Sequence, residues 1–397
     1  MKSNYKRIGD HIERISTKNI DGKLSRLLGI KIDKYFMPSV ANVVGTDLSK
    51  YKIVHPNQFS CNRMHVGRDF RLPVALSGED DSFIVSPAYD VFYIKDTSEL
   101  LPEYLMMWFR RPEFDRETWF HTDTDVRGKL GWEDFCDMTL PVPSITKQQA
   151  IVDEYNVITR RISILEQLNA KLEETAQTIY KHWFVDFEFP DENGKPYKTS
   201  GGKMVWNEEL EKEVPEGISI QSLSELVDLN KEKIHTELLT TKNYISTENM
   251  IPNMLGIKKA SSIPSESRVA NFKKEDILIS NIRPYFKKIW FAKFEGGCSN
   301  DVLCLRSRGS VKSIFIYQSL KLDSFFDYVM KGAKGTKMPR GDKDWTLNYK
   351  LPILKEQEML LFYKLTNSTY RKVELNNIEN KKLFRIKETL LQNLTGL

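Results

Sequence analysis

The sequence is poor in cysteine and has no long apolar segment. Its four cysteines, Cys61, Cys136, Cys298 and Cys304, form no CxxC pair and have no histidine cluster nearby. We therefore expect reduced, buried thiols and neither a zinc site nor a disulfide framework. No stretch approaches the ~18 consecutive apolar residues of a membrane-spanning helix, and the first residues lack the apolar centre of a signal peptide. These absences predict a cytoplasmic protein.

Sequence motifs typical of catalysis are also absent. There is no GxxxxGK[ST] phosphate loop, GxGxxG, HExxH or GxSxG motif, and no Asn-Pro-Pro-aromatic tetrapeptide of adenine amino-methyltransferases. The acidic run from Asp186 to Glu192 is superficially like a metal-dependent nuclease cluster. Because it straddles the turn signal PDENG, we interpret it as a solvated turn. The sequence thus predicts no catalytic residue, no metal and no cofactor.

A long amphipathic helix is predicted from Ser144 to Phe187. Apolar residues recur there at alternating steps of four and three, which is typical of a coiled-coil seam and requires a partner helix. The seam residues are Ile151, Ile158, Ile162, Leu165, Asn169, Leu172, Ile179 and Trp183.

A second long helix is predicted over residues 354–397, with a seam that is more polar in its middle. An antiparallel register that pairs Trp183 with Phe362 also puts Asn169 opposite Asn376, and two facing core amides would fix that register. The alternative is that each helix packs separately on its own domain. The second seam comprises Val373, Asn376, Leu383, Leu390 and Leu394.

An internal repeat of about half the chain is indicated by two proline-to-helix junctions, LPVPSITKQQ and LPILKEQ. Pro141 and Pro352 lie 211 positions apart, and Gln149 and Gln357 lie 208 apart. We predict an α+β fold: two mixed α/β domains related by a pseudo-twofold repeat and separated by two long helices that pack as an antiparallel coiled coil. The predicted boundaries are 1–143 for domain 1, 144–187 for the first helix, 188–217 for a connection, 218–353 for domain 2 and 354–397 for the second helix.

Basic loops within both domains are candidates for phosphate and base contacts. Residues 218–350 hold 22 Lys and Arg against 14 Asp and Glu, whereas residues 1–143 hold 20 against 21. Solvated hairpins or a lysine-protected edge strand are the alternative interpretations. The candidate DNA-binding residues are Arg63, His65, Arg68, Arg127, Lys129, Arg283, Lys287, Lys288, Lys334, Lys337 and Arg340.

The order of these parts resembles the specificity subunit of a type I restriction-modification enzyme. The resemblance rests on NRMHVG, VSPAYDVFYI, LPVPSITKQQAIV, WFVDFEFPDENGKPYKTSGGKMVW, ISTENM, ILISNIRPYFKKIWFA and GTKMPRGDKDW. It implies two target-recognition domains that each read one half of a bipartite, asymmetric double-stranded DNA site. It also implies a helix pair that sets their spacing and docks two DNA methylation subunits, with restriction subunits joining through those. The family carries no active site on this subunit.

Two other function classes stay open at this point. The chain could be the DNA-binding part of a single-chain restriction or methylation enzyme, or a coiled-coil adaptor that binds only protein. The target bases, the spacer length and the partner subunits are not given by the sequence, because base readout depends on which side chains enter a groove.

Overall fold

The chain divides into two compact units. The computed structural model describes residues 4–39, 45–64, 66–78, 80–122 and 128–396. Unit 1 comprises Met1–Glu166 and Asn377–Leu397, and unit 2 comprises Gln167–Asn376. Each boundary between the units falls inside a long helix, because the two halves of each long helix pack within different units. No described helix is both long enough and apolar enough to span a membrane.

Unit 1 combines short antiparallel strands with short helices. Its strands are β1 (Tyr5–Arg7), β2 (Ile12–Ile15), β3 (Leu28–Lys31), β4 (Tyr35–Pro38), β5 (Lys52–Val54), β6 (Phe59–Cys61), β7 (Val74–Leu76), β8 (Phe83–Val85), β9 (Asp90–Ile94) and β10 (Thr139–Pro141). Its helices are α1 (Ile8–His11), α2 (Val66–Asp69), α3 (Pro102–Phe109), α4 (Pro112–Phe120), α5 (Trp132–Asp137) and α6 (Ile145–Tyr180), which continues into unit 2. The main sheet has the order β2-β9-β6-β7, with every neighbouring pair antiparallel.

Aromatic side chains fill the core of unit 1 between the main sheet and the helices. Phe59 of β6 stacks on Phe92 of β9 with ring centroids 5.0 Å apart. Phe109 of α3 meets Phe59 edge-on at 5.9 Å, and Phe135 of α5 lies 5.7 Å from Phe92. Offset and edge-on ring pairs of this kind add to the free energy gained by burying their area. They hold α3 and α5 against the sheet and so fix the loops between them.

Unit 2 has the same kinds of element as unit 1 and contains a second four-stranded sheet. Its strands are β11 (Met204–Asn207), β12 (Lys212–Pro215), β13 (Ser219–Ser222), β14 (Val227–Leu229), β15 (Lys233–His235), β16 (Tyr244–Ile245), β17 (Arg268–Phe272), β18 (Ile277–Ser280), β19 (Ile289–Phe291), β20 (Gly296–Cys298), β21 (Val302–Ser307) and β22 (Lys350–Ile353). Its helices are α7 (Leu223–Leu226), α8 (Ser313–Leu320), α9 (Asp323–Lys331), α10 (Lys343–Leu347) and α11 (Glu356–Asn393), which ends in unit 1. The two four-stranded sheets have the orders β14-β21-β18-β19 and β15-β17-β20-β16.

The two units share one order of elements around their main sheets. In unit 1, strand β1 pairs with β10, which leads into α6; in unit 2, strand β13 pairs with β22, which leads into α11. Pro141 faces Tyr5 in the first ladder, and Pro352 faces Ile220 in the second. The main sheets correspond strand for strand, as β2-β9-β6-β7 and β14-β21-β18-β19. The matching prolines of the two junctions therefore occupy equivalent positions in their units.

The two predicted long helices pack antiparallel within each unit. In unit 1, Tyr155 near the start of α6 shares a core with Leu391 and Leu394 near the end of the chain. In unit 2, Trp183 lies 6.0 Å from the ring of Phe362 near the start of α11. Trp183 belongs to a wider π-helical turn, Lys181–Val185, so the regular helix ends seven residues before the predicted Phe187.

The predicted seam residues all lie on the covered side of their helices. Each of them is buried or half-buried. Asn376 is 1% exposed, and its Nδ2 donates a hydrogen bond of 2.8 Å to Oδ1 of Asn169. This amide pair links α6 to α11 within unit 2 and is the pair that the antiparallel register predicts.

Candidate nucleic-acid interface

The two basic loops predicted in domain 1 lie side by side in unit 1. The loop after β6 and the loop before α5 are joined by backbone hydrogen bonds, from the Gly67 N–H to the Gly128 carbonyl (2.8 Å) and from the Leu130 N–H to the Arg63 carbonyl (3.0 Å). We call the described residues 62–64, 66–70 and 128–131 the first loop pair. Its backbones approach so closely that a Cβ added to Gly67 would lie 2.6 Å from the Gly128 Cα. Only glycine permits this contact.

Arg63 holds the first loop pair together from inside. Its Nε donates to the Asp90 carboxylate at 2.7 Å, and its guanidinium also donates to the Leu130 carbonyl. The residue is only 7% exposed, and a buried ion pair of this kind is costly to separate. Because its guanidinium is bonded inside the unit, we assign Arg63 a structural role in place of the predicted DNA contact.

The other cations predicted in domain 1 differ in their surroundings. Arg68 is exposed and pairs with Asp69, at 2.7 Å from Nε to Oδ1. Lys129 is also exposed. His65 and Arg127 lie outside the described residues. Sequence reasoning missed Arg14, a half-exposed β2 residue that pairs with Asp90 at 2.6 Å and lies 5.3 Å above the Trp132 ring. Only the pairing of β2 with β9 brings Arg14 to this place, and no local motif marks it.

The two basic loops predicted in domain 2 form an equivalent arrangement in unit 2. The Arg283 N–H donates to the Pro339 carbonyl (2.7 Å), and the Gly341 N–H donates to the Asn281 carbonyl (2.9 Å). The buried Asn281 side chain returns a hydrogen bond of 3.0 Å from Nδ2 to the Gly341 carbonyl. We call residues 281–288 and 334–341 the second loop pair. One loop connects β18 to β19, as the loop after β6 leads to β7 in unit 1. The other loop leads to α10, as its counterpart in unit 1 leads to α5.

Three cations lie on the second of these loops. Lys334 pairs with Asp342 at 2.7 Å but remains 82% exposed in its side chain, and the hydrogen bond to Asp342 raises the pKa of Lys334. Arg340 pairs with Asp301 at 3.0 Å. Lys337 is exposed, with no carboxylate within 4 Å in the described part of the chain. Exposed ion pairs contribute little free energy, so these cations can exchange their carboxylates for phosphate oxygens.

The cations of loop 281–288 are more constrained. Lys287 pairs with Asp323 at 2.6 Å. Lys288 donates to the Thr247 carbonyl, and burial lowers its pKa. Arg283 is half-buried, and its Nε has no hydrogen-bond partner among the described residues. Lys288 is therefore engaged with the fold, whereas Arg283 has an unused donor.

Metal-binding and disulfide chemistry have no support in the described residues. All four cysteines are free and buried, and no group of three or more His, Cys, Asp or Glu side chains could hold an ion in the described ranges. In the acidic run, Oδ1 of Asp191 accepts hydrogen bonds from the backbone N–H groups of Asn193 and Lys195. That carboxylate closes the predicted turn.

Curated proteins and solved structures resemble this chain. The chain is 31% identical over 91 residues to the type I restriction enzyme MjaIX specificity subunit of Methanocaldococcus jannaschii. This match covers 23% of this chain and 19% of that protein. It is 23% identical over 229 residues to the EcoDI specificity subunit of Escherichia coli, covering 52% and 49%. It is 23% identical over 378 residues to the HindI specificity subunit of Haemophilus influenzae, covering 79% and 81%. The predicted resemblance to type I specificity subunits is confirmed.

The fold supports the same resemblance to type I specificity subunits. The crystal structure of the S subunit of a type I restriction-modification system from M. genitalium matches with a TM-score of 0.53 and 16% identity, covering 98% of this chain and 95% of that one. The predicted fold class, mixed helix and sheet with a pair of long helices, is thereby confirmed. No family model matches the chain. The matches span about a fifth of the first curated relative, about half of the second and about four fifths of the third.

Proposed function

We propose that this chain is the non-catalytic DNA-recognition subunit of a type I restriction-modification complex. Each unit reads one half of a bipartite, asymmetric site through its loop pair. The observation that carries this proposal is the convergence of the four predicted basic loops into two equivalent pairs, one on each main sheet. Backbone hydrogen bonds such as Gly67 to Gly128 and Arg283 to Pro339 join the loops of each pair.

The loop pairs have the chemistry that DNA recognition needs. Exposed lysine and arginine side chains bind phosphates and position a protein on the duplex, whereas side chains at loop tips reach base edges. Lys334, Lys337 and Arg340 supply the first kind of contact in unit 2, and Arg68 and Lys129 supply it in unit 1. Backbone hydrogen bonds hold the described residues of each loop pair together beside its main sheet, so these residues lose little further conformational freedom when DNA binds. Such preorganisation lowers the entropic cost of binding.

The helix pair serves as spacer and docking surface in this proposal. Helix α6 has 36 residues, which at ~1.5 Å each corresponds to about 54 Å. The seam uses one side of α11, yet several large apolar residues of the same helix remain exposed. Exposed apolar groups along one element are typical of protein-binding surfaces, and we assign them to the DNA methylation subunits, through which restriction subunits would join. They are Leu360, Leu361, Leu365, Leu375, Ile378, Phe384 and Ile386.

A domain exchange tests the proposal. Residues 218–353 are replaced by the corresponding segment of a related specificity subunit, and adenine methylation is mapped across the genome of cells that express the chimaera with its methylation subunits. We expect one half of the methylated site to change and the other half to stay. Exchange of residues 1–143 is the matched control and should change only the other half. A change in both halves after a single exchange, or in neither, would contradict the proposal. Methylation that proceeds without the chain would favour the protein-only adaptor.

A further inference from the structure

A cluster of left-handed backbone conformations lies at the second loop pair. Arg283 has φ +50° and Lys287 has φ +51°, and the adjoining segment contributes Asn253 with φ +58° and Met254 with φ +63°. Residues with a Cβ avoid this region because the side chain crowds the following carbonyl. Asparagine tolerates the left-handed region, but Met254, Arg283 and Lys287 are strained there, and strain of this kind persists only where the surrounding structure enforces it.

The enforcing contacts come from two directions. The Asn253 N–H donates to the Phe286 carbonyl and the Met254 N–H to the Lys287 carbonyl, each at 2.8 Å. On the other side, the Arg283 N–H donates to the Pro339 carbonyl at 2.7 Å. The strained turn is thus held rigidly by the segment at 253–254 and by the partner loop of the pair.

The turn presents an aromatic ring to solvent. Pro284, Tyr285 and Phe286 form one helical turn between the two left-handed residues. Pro284 is buried, whereas Tyr285 is 46% exposed, with its ring 4.7 Å from that of Phe286. The turn therefore holds an aromatic ring at the surface beside basic residues, where the ring can stack on a group outside the chain.

Unit 1 also has an exposed aromatic residue at a left-handed backbone position in the equivalent connection between strands. Phe70 lies between β6 and β7, as Tyr285 lies between β18 and β19. Its φ is +56°, a rare conformation for a bulky residue, and it is 60% exposed. Its ring is supported by Trp119, with centroids 5.4 Å apart. The feature therefore occurs in both units, although the two loops have different sequences.

We propose that Tyr285 and Phe70 are specificity-determining residues that stack on bases, one in each half of the DNA site. The inference rests on the proposed function and deepens it by naming the side chains that leave the protein surface and enter the base stack. Aromatic and apolar side chains inserted at a base step unstack it and kink the duplex, and they favour steps that unstack easily. A ring held by a strained, hydrogen-bonded turn makes this contact without losing further conformational freedom.

The test uses the full chain assembled with its methylation subunits and a duplex that carries the site mapped by methylation sequencing. Tyr285→Ala is compared with Tyr285→Phe, which keeps the ring, and with Trp206→Ala, which removes another exposed aromatic residue of unit 2 (59% exposed) outside the loop pair. Affinity is measured by fluorescence anisotropy over a range of salt concentrations. A 2-aminopurine placed in turn at each base step reports unstacking.

We expect Tyr285→Ala to weaken binding on the order of tenfold, with an unchanged salt slope because no charge is removed. The 2-aminopurine response should disappear at one base step of one half-site. Tyr285→Phe and Trp206→Ala should bind like the parent. Phe70→Ala should act in the same way on the other half-site, which provides a second arm should Tyr285→Ala alter the loop.

Three other outcomes would overturn this inference or its foundation. If the parent complex binds its site tightly and both alanine variants match it, the rings do not contact DNA, although the proposed function stands. If the parent complex shows no sequence-specific binding, the proposed function itself fails. If the variants lose assembly with the methylation subunits and not DNA affinity, the rings are protein contacts.

Discussion

The amide pair between the long helices gives the sharpest energetic prediction. Asn376 is 1% exposed and donates to Asn169 at 2.8 Å, in a seam whose other positions in unit 2 include Leu172, Ala176 and Val373. Two polar side chains in an apolar seam favour one register, since any slip along the helices separates them. We therefore expect the two residues to be energetically coupled.

The magnitude follows from the burial of each partner. A side-chain hydrogen bond contributes about 0.5–1.5 kcal/mol net, and a buried polar group that loses its partner costs about 1–3 kcal/mol. Asn169→Leu leaves the buried Asn376 without its acceptor, so it should cost about 2–3 kcal/mol. Asn376→Leu should cost less, about 1–2 kcal/mol, because Asn169 is only half-buried. Replacing both residues with leucine removes the mismatch, so the double variant should be as stable as the parent or more stable.

A double-mutant cycle measures this coupling. Urea unfolding is followed by far-UV circular dichroism, and the transition of unit 2 is analysed separately from that of unit 1, because the two units need not unfold together. Asn367→Leu, an exposed substitution on the same helix and in the same unit, is the control and should change stability by less than ~0.5 kcal/mol. A coupling energy below ~0.3 kcal/mol, or a double variant that loses the sum of the two single losses, would refute the assignment of a register-setting pair.

The loop pairs give two further predictions. Lys334→Ala with Lys337→Ala should leave the recognised sequence unchanged and reduce the salt slope of DNA binding by about 1.8, if each lysine neutralises one phosphate. The control Lys203→Ala, which removes another exposed, ion-paired lysine of unit 2, should leave the slope as it is, and an unaltered slope in the double variant would count against phosphate contact. Gly67→Ala should destabilise unit 1 by about 1–3 kcal/mol and weaken reading of one half-site, because its Cβ would lie 2.6 Å from the Gly128 backbone. In contrast, Gly78→Ala places its Cβ in open space and should change neither thermal unfolding nor DNA affinity. Equal effects of the two alanine substitutions would show that the close glycine contact is unimportant.

The long helices were predictable because heptad spacing is a local property of the sequence. The seam residues from Ile151 to Trp183 can be identified by counting, and their burial follows from pairing with α11. The exact end of α6 was not predictable. The apolar repeat runs through Trp183, but the backbone widens into a π-helical turn at Lys181–Val185 so that Trp183 and Phe184 both reach the core of unit 2. This is a tertiary effect that overrides local periodicity.

The basic loops were identifiable by composition, but their pairing and the roles of single residues were not. Arg63 lies in a basic loop beside glycine, and its local sequence does not distinguish it from an exposed cation. Only the fold brings it to Asp90, 27 residues later on β9, where its charge is neutralised inside unit 1. The left-handed residues Phe70, Arg283 and Lys287 also carry no sequence signal, because glycine and asparagine are the residues that normally mark such positions. Their conformations are imposed by contacts with distant segments.

The way the loops are fixed bears on how one scaffold could read different DNA sequences. The contacts that join each loop pair are mostly backbone to backbone, as between Arg283 and Pro339 or Gly67 and Gly128. Backbone hydrogen bonds do not depend on which side chain the residue carries. Side chains at the tips, such as Tyr285 and Phe70, can therefore change without loss of the pairing that presents them. On the proposed function, the sheet, the buried Arg63–Asp90 pair and the close glycine contact keep the geometry, while substitutions at a few exposed positions change the recognised bases.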